Sequence, residues 1–189
     1  MEELKTRILQ EADVISDNVL KLDGILNHQV DPQLIMNIGK EFAFRFQNEK
    51  VTKVMTIESS GISVAFATAL ELGVPLLFAR KKRTLTTDPD SFWERVPSFT
   101  HGMVTDIVVA KKFLGPGDRI LFIDDIVANG DAARALIRII GQSQATLVGV
   151  GFVVEKAFQN GARAIRETGL RVESLVRVLS LEGGRIVFG

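Results

Sequence analysis

Cysteine is absent from this 189-residue chain, and histidine occurs only twice. The first absence excludes disulfides and thiolate zinc sites and allows a reducing compartment. His28 and His101 stand in no metal-ligand or triad spacing, so neither is assigned a catalytic task. Net charge is lacking too. The 23 Lys and Arg balance the 23 Asp and Glu, which argues against binding nucleic acid by bulk electrostatics. No apolar run approaches the ~18 residues of a membrane span. The opening Met1-Glu2-Glu3-Leu4-Lys5 lacks the apolar centre of a signal peptide. The expectation is a cytoplasmic protein with no nucleic-acid and no membrane partner.

What is present is an ordinary globular composition, 46% hydrophobic and 24% charged, in a length that suits one domain, 1–189. Neither repeats nor low-complexity segments interrupt it. Apolar spacing of four and three through Leu4, Ile8, Ala12, Ile15 and Val19 predicts an amphipathic helix over 4–22. Residues 25–30 read as a short extended segment. Asp31-Pro32 then opens a second helix with Ile35, Ile38, Phe42 and Phe46 on its inner face.

From residue 53 strands and helices alternate. Strands are expected over 53–57, 74–79, 103–111, 119–124, 145–154, 171–181 and 186–188, with helices over 62–72, 131–140 and 157–168. This predicts an α/β fold, a central parallel sheet flanked by helices. The first 50 or so residues would form a small N-terminal hood over a core of 51–189. Residues 80–100 hold Pro89 and Pro97 and no sustained period, so they read as a mobile, lid-like loop.

The informative stretch runs from Arg119 to Ala133. An apolar strand leads into Asp124 and Asp125, then the small-residue loop Ala128-Asn129-Gly130-Asp131-Ala132, then a helix. Two acids at a strand's carboxyl end can accept hydrogen bonds from sugar hydroxyls. Loop amides at a helix's positive end form a concave anion site. Together they describe a ribose 5-phosphate pocket. Asp131 is a candidate helix cap.

This pattern resembles the phosphoribosyl pyrophosphate (PRPP) motif of type I phosphoribosyltransferases. The resemblance implies that Asp124 and Asp125 hold the ribose hydroxyls with Mg²⁺ nearby, bound mainly through the substrate, and that Ala128 to Ala132 wrap the 5-phosphate. Many relatives carry hydroxyl residues in that loop; here backbone amides carry more of the binding. Ser59-Ser60-Gly61, with Glu58, would hold the pyrophosphate. The run Arg80-Lys81-Lys82-Arg83 would bring cations to the leaving group, in some relatives across a homodimer interface.

Within the family, the spacing of Leu20 and Asn27, the acid-pair loop and the corner Glu155-Lys156-Ala157-Phe158 are similar to the bacterial branch that uses xanthine. The likeness covers essentially the whole chain. It implies a base pocket lined by Leu20, Asn27 and Lys156, with Phe158 packing on the ring. By composition alone Leu20 is a core residue and Asn27 a turn residue. The expected activity is purine salvage, joining xanthine to PRPP. Rival expectations are adenine, guanine or hypoxanthine as the base, or a regulator that senses PRPP without catalysis. The N-terminal segment is short for a DNA-binding domain, and the balanced charge disfavours RNA binding.

Overall fold

The protein is described by a computed structural model covering residues 1–81, 88–97 and 104–189. Helix α1 (Glu2–Glu11) buries Leu4 and Ile8 and stops at Ala12, whose backbone is extended. The expected helix over 4–22 is thus half as long. Its second half is a hairpin of β1 (Asp13–Ser16) and β2 (Val19–Lys21), in which Val14 lies opposite Leu20. The physical reason is local. β-Branched Val14, Ile15 and Val19 favour strand, and Asp17-Asn18 supplies a turn. Ile15 and Val19, placed on the inner stripe by helical spacing, stay exposed.

Residues 25–30 are not extended either. Asp23–Asn27 forms a wide helical turn closed by His28 N–H on Asp23 O at 3.0 Å, and it buries Ile25 and Leu26. Two adjacent apolar residues can enter one core from such a turn, whereas a strand would split them between faces.

Helix α2 (Pro32–Phe46) begins as expected. Asp31 Oδ1 accepts from the amides of Gln33 (2.9 Å) and Leu34 (3.2 Å), with Pro32 at the first position. Arg7 binds the other carboxylate oxygen at 2.7 Å, and this contact with the capping bonds holds Asp31 below the usual carboxylate range. The inner face buries Ile35, Ile38, Phe42 and Phe46.

The core is a six-stranded sheet ordered β10-β9-β8-β7-β3-β4. Strands β3 (Lys53–Ile57), β4 (Leu76–Ala79), β7 (Arg119–Val127), β8 (Thr146–Lys156) and β9 (Val172–Ser180) are parallel, and the closing strand β10 (Val187–Phe188) is antiparallel to β9. The sheet is therefore mixed at one edge. Inner strands alternate between two cores. Leu121 and Ile123 share one cluster with the hood, α2 and α3 (Gly61–Leu72). Ile120 and Phe122 share the other with α4 (Asp131–Gln142) and α5 (Gly161–Arg166). Phe122 meets Phe152 edge to face, with ring centroids 6.0 Å apart.

Part of the stretch expected as a loop is ordered. β5 (Ser91–Pro97) pairs antiparallel with β6 (Val104–Ala110), and Arg80 bridges to Val108 so that the ribbon continues from the end of β4. Glu94 anchors the ribbon on α4 through Arg138 (2.9 Å) and Gln142 (2.7 Å). Lys82, Arg83 and the rest of 82–87, together with 98–103, lie outside the described residues. Helix α5 is shorter than its expected span because Ala157 to Asn160 turn first.

Candidate active site

Chain order fixes where a ligand can bind. From β3 the chain steps outward to β4, then returns to place β7 on the other side of β3 and moves outward again through β8 and β9. The order reverses between β3 and β7. In such sheets the crevice opens beyond the carboxyl ends of the two strands at the reversal. Those ends carry Glu58 to Gly61 and Asp124-Asp125.

β7 runs further than its apolar residues suggest, and both acids lie inside its last turns of pleat, Asp124 opposite Phe152. The Asp125 amide donates to Asp124 Oδ1 at 3.1 Å. Burial, then the charge of Asp125, push Asp124 well above the usual carboxylate range. Burial also raises Asp125, and the charge of Lys81 opposes both shifts. Two crowded acids at a cleft are a standing demand for hydrogen-bond donors and a counter-charge.

Gly130 follows with φ of 77°, a left-handed backbone that glycine adopts at least cost. It ends the loop and starts α4. Asp131 does not cap that helix: it is the first helical residue, and its carboxylate is held by Arg134 at 2.6 Å. Arg134 also donates to Asn129 O at 2.8 Å. The cation therefore neutralises Asp131 and braces the loop. The loop also rests on α5. Gly161 N–H donates to Ala128 O at 3.0 Å, and any side chain on Gly161 would collide with Ala128 and Gly130.

On β3, Ser59 and Ser60 form the turn into α3, after a cis peptide between Glu58 and Ser59. Ser60 makes no capping bond with its side chain, so the first amides of α3 are not occupied by it. Gly61 lies against Asp124, which joins this turn to the acid pair. The Glu58 carboxylate binds Arg80 at 2.7 Å and accepts from the Lys81 amide at 2.7 Å. It thereby fixes the root of the cationic run beside the same cleft.

The residues expected to take the base gather less completely. Lys156 ends β8, half-buried, and its ammonium donates to Asn18 O in the hairpin turn at 2.9 Å; desolvation lowers its pKa. Leu20 is buried on β2 of that hairpin. Phe158 is half-buried against the hood-side core. Asn27, at the end of the wide helical turn, is exposed.

Sequence reasoning missed three contributors. One is Arg134. Another is Glu155, only 3% exposed and gripped by Arg166 at 2.9 and 2.5 Å and Ser174 at 2.5 Å. Its signal was a charge at the end of an apolar strand. The third is Thr56, fully buried beneath the turn at Gly61.

A phosphoribosyl transferase domain model matches residues 27–175, and the chain belongs to that family. A xanthine phosphoribosyltransferase from Moorella thermoacetica is 56% identical over 188 residues, covering all of this chain and 96% of that one. One from Bacillus cytotoxicus is 50% identical, covering all of this chain and 95% of its own. Among solved structures, an adenine phosphoribosyltransferase from Rhodothermus marinus superposes with a TM-score of 0.77 at 23% identity, over 94% of this chain and all of that one. That likeness speaks to the fold.

Proposed function

We propose that this protein transfers the phosphoribosyl group of PRPP to xanthine, yielding XMP and pyrophosphate. The observation that carries the phosphoribosyl part is the convergence at one strand reversal of two carboxylates, a braced amide loop at the start of α4 and a second turn at the start of α3. The choice of xanthine is supported by full-length relatives of that name at 47–56% identity.

In the proposed reaction a purine nitrogen forms a bond to the anomeric carbon while the bond from that carbon to pyrophosphate breaks. Positive charge develops on the ribose ring and negative charge on the leaving group. Asp124 and Asp125 accept the ribose hydroxyls and hold the ring for in-line attack. The amides from Ala128 to Ala132 bind the 5-phosphate. The turn at Ser59, Ser60 and Gly61 receives the pyrophosphate, and Arg80 and Lys81 stand at its edge. Lys156 and Asn27 take the base, with Leu20 and Phe158 packing beside it. No covalent intermediate is required; positioning and charge complementarity supply the acceleration.

Mg²⁺ fits this donor set as a cation carried by the substrate. No group of three or more acidic, His or Cys side chains able to cage a metal occurs among the described residues. Two carboxylates beside a phosphate pocket suit an ion that keeps substrate oxygens and waters as its other ligands. Asp124 and Asp125 would hold it, and it would neutralise charge on the pyrophosphate.

We further propose a cytoplasmic homodimer organised as a single domain. The primary test incubates the protein with PRPP, Mg²⁺ and each of xanthine, guanine, hypoxanthine and adenine, and follows nucleotide and pyrophosphate. XMP should form with the highest kcat/KM, and Asp125→Asn should lower it on the order of 10²–10³-fold. Preference for another base would overturn the substrate. Turnover of none would overturn the enzyme in favour of a sensor.

A further inference from the structure

Thr56 sits next to the carboxyl end of β3 with no exposed surface, and its hydroxyl has no hydrogen-bond partner among the described residues. Thr68, also fully buried, satisfies its hydroxyl on Val64 O at 2.9 Å. A stranded buried hydroxyl destabilises a protein, and valine has the same shape without it. A threonine retained at that cost points to a partner the empty protein does not supply.

The position identifies the partner. A Cβ built on Gly61 would collide at once with Thr56 Oγ1 and with Asp124 Oδ1. Both oxygens therefore border the space that the missing side chain leaves, less than about 5 Å apart. Rotation of the two side chains toward that space would bring them into hydrogen-bond reach. The Asp124 Oδ1 atom already accepts from the Asp125 amide and keeps further lone-pair capacity. Gly61 is buried and Thr56 pairs with Phe78 of β4, which leaves little room for a third group between the two oxygens.

We propose that Thr56 is a positioning residue for the transfer reaction. Its hydroxyl donates to the Asp124 carboxylate when PRPP engages the acid pair and fixes the rotamer that accepts the ribose hydroxyls. The inference rests on the assignment of Asp124 to those hydroxyls. The bond forms with the ligand, so it contributes to the bound state and costs the empty one.

Three variants, Thr56→Val, Thr56→Ser and Asp124→Asn, test this with PRPP, Mg²⁺ and xanthine. Thr56→Val should fold and melt at or above the parent temperature, because it removes an unpaired hydroxyl from the empty protein. Its kcat/KM for PRPP should fall about tenfold, with KM for xanthine unchanged. Thr56→Ser restores the donor and should recover kcat/KM to within about twofold. Parent-like kcat/KM in Thr56→Val, equal impairment of Thr56→Ser, or failure of Thr56→Val to fold would each overturn the proposal. If Asp124→Asn is inactive while Thr56→Val is normal, only the role of Thr56 falls. If Asp124→Asn is fully active, the ribose assignment fails and takes this inference with it.

Discussion

Replacing Gly61 by alanine adds one methyl group where the turn into α3 meets the acid pair of β7. The backbone raises no objection, since Gly61 does not have a left-handed φ. The objection is steric. The new Cβ would overlap Thr56 Oγ1 and Asp124 Oδ1 and lie 3.4 Å from Asp124 Cα. Real Cβ contacts essentially never fall under 3.0 Å, so both oxygens must withdraw by more than about half an ångström. Thr56 has no room to do so inside a fully buried strand, and Asp124 at the cleft must yield most. Misplacement of a reacting group by about 1 Å costs on the order of 10²-fold, which corresponds to about 2.7 kcal/mol of transition-state stabilisation. Overpacking should also destabilise the fold by about 1–3 kcal/mol, seen as a drop of several degrees in Tm. The assay is steady-state kcat/KM for PRPP with a melting curve on the same preparation. A folded variant within about threefold of the parent rate would refute the geometry assigned to this junction.

Gly141, exposed near the end of α4 with nothing within 4 Å of a built Cβ, gives the opposite outcome. Gly141→Ala should stabilise by about 0.5–1 kcal/mol in a urea titration and leave activity unchanged. Arg166→Ala should cost about 3 kcal/mol at pH 7, because it leaves the buried Glu155 carboxylate without its main partner. Burial alone would raise the pKa of Glu155, but the Arg166 and Ser174 hydrogen bonds and the nearby charges outweigh it and hold it low. That stability is therefore complete above the usual carboxylate range and is lost as pH falls through the folded pKa. The difference between parent and variant in urea midpoint should shrink towards about pH 4, and a difference independent of pH would refute the assignment. Lys156→Ala should lower kcat/KM for xanthine, guanine and hypoxanthine alike, whereas Asn27→Ala should penalise xanthine more than hypoxanthine by roughly 1–3 kcal/mol. Equal losses with Asn27→Ala would leave Asn27 as a hood residue without a part in base choice.

Features legible in the sequence are those set by neighbours along the chain. Asp31-Pro32 declared the start of α2 because a side-chain acceptor and a missing N–H both act within one turn. Gly73 marked the end of α3, where the backbone is left-handed at φ 67°. Strands β3 and β7 stood out because strands buried on both faces read as unbroken apolar runs. The acid pair was visible at the point where one such run met charge.

Tertiary structure decided whatever depends on a partner distant in sequence. Residues 13–21 satisfy a helical spacing, yet they fold as a hairpin because cross-strand pairing and the Asp17-Asn18 turn outweigh a stripe with nothing to bury it. β5 has no clear alternation of its own and takes its form from seven pairings with β6. Asp131 could have been a cap or a repelling charge. Arg134, one turn on, settled it as a neutralised brace. Thr56 is an unremarkable letter in one apolar strand, and Glu155 is a bare charge at the end of another. Their meaning comes from which atoms the reversed strand order brings beside them, and a hydrogen bond or a desolvated charge is decided by those few ångströms rather than by position along the chain.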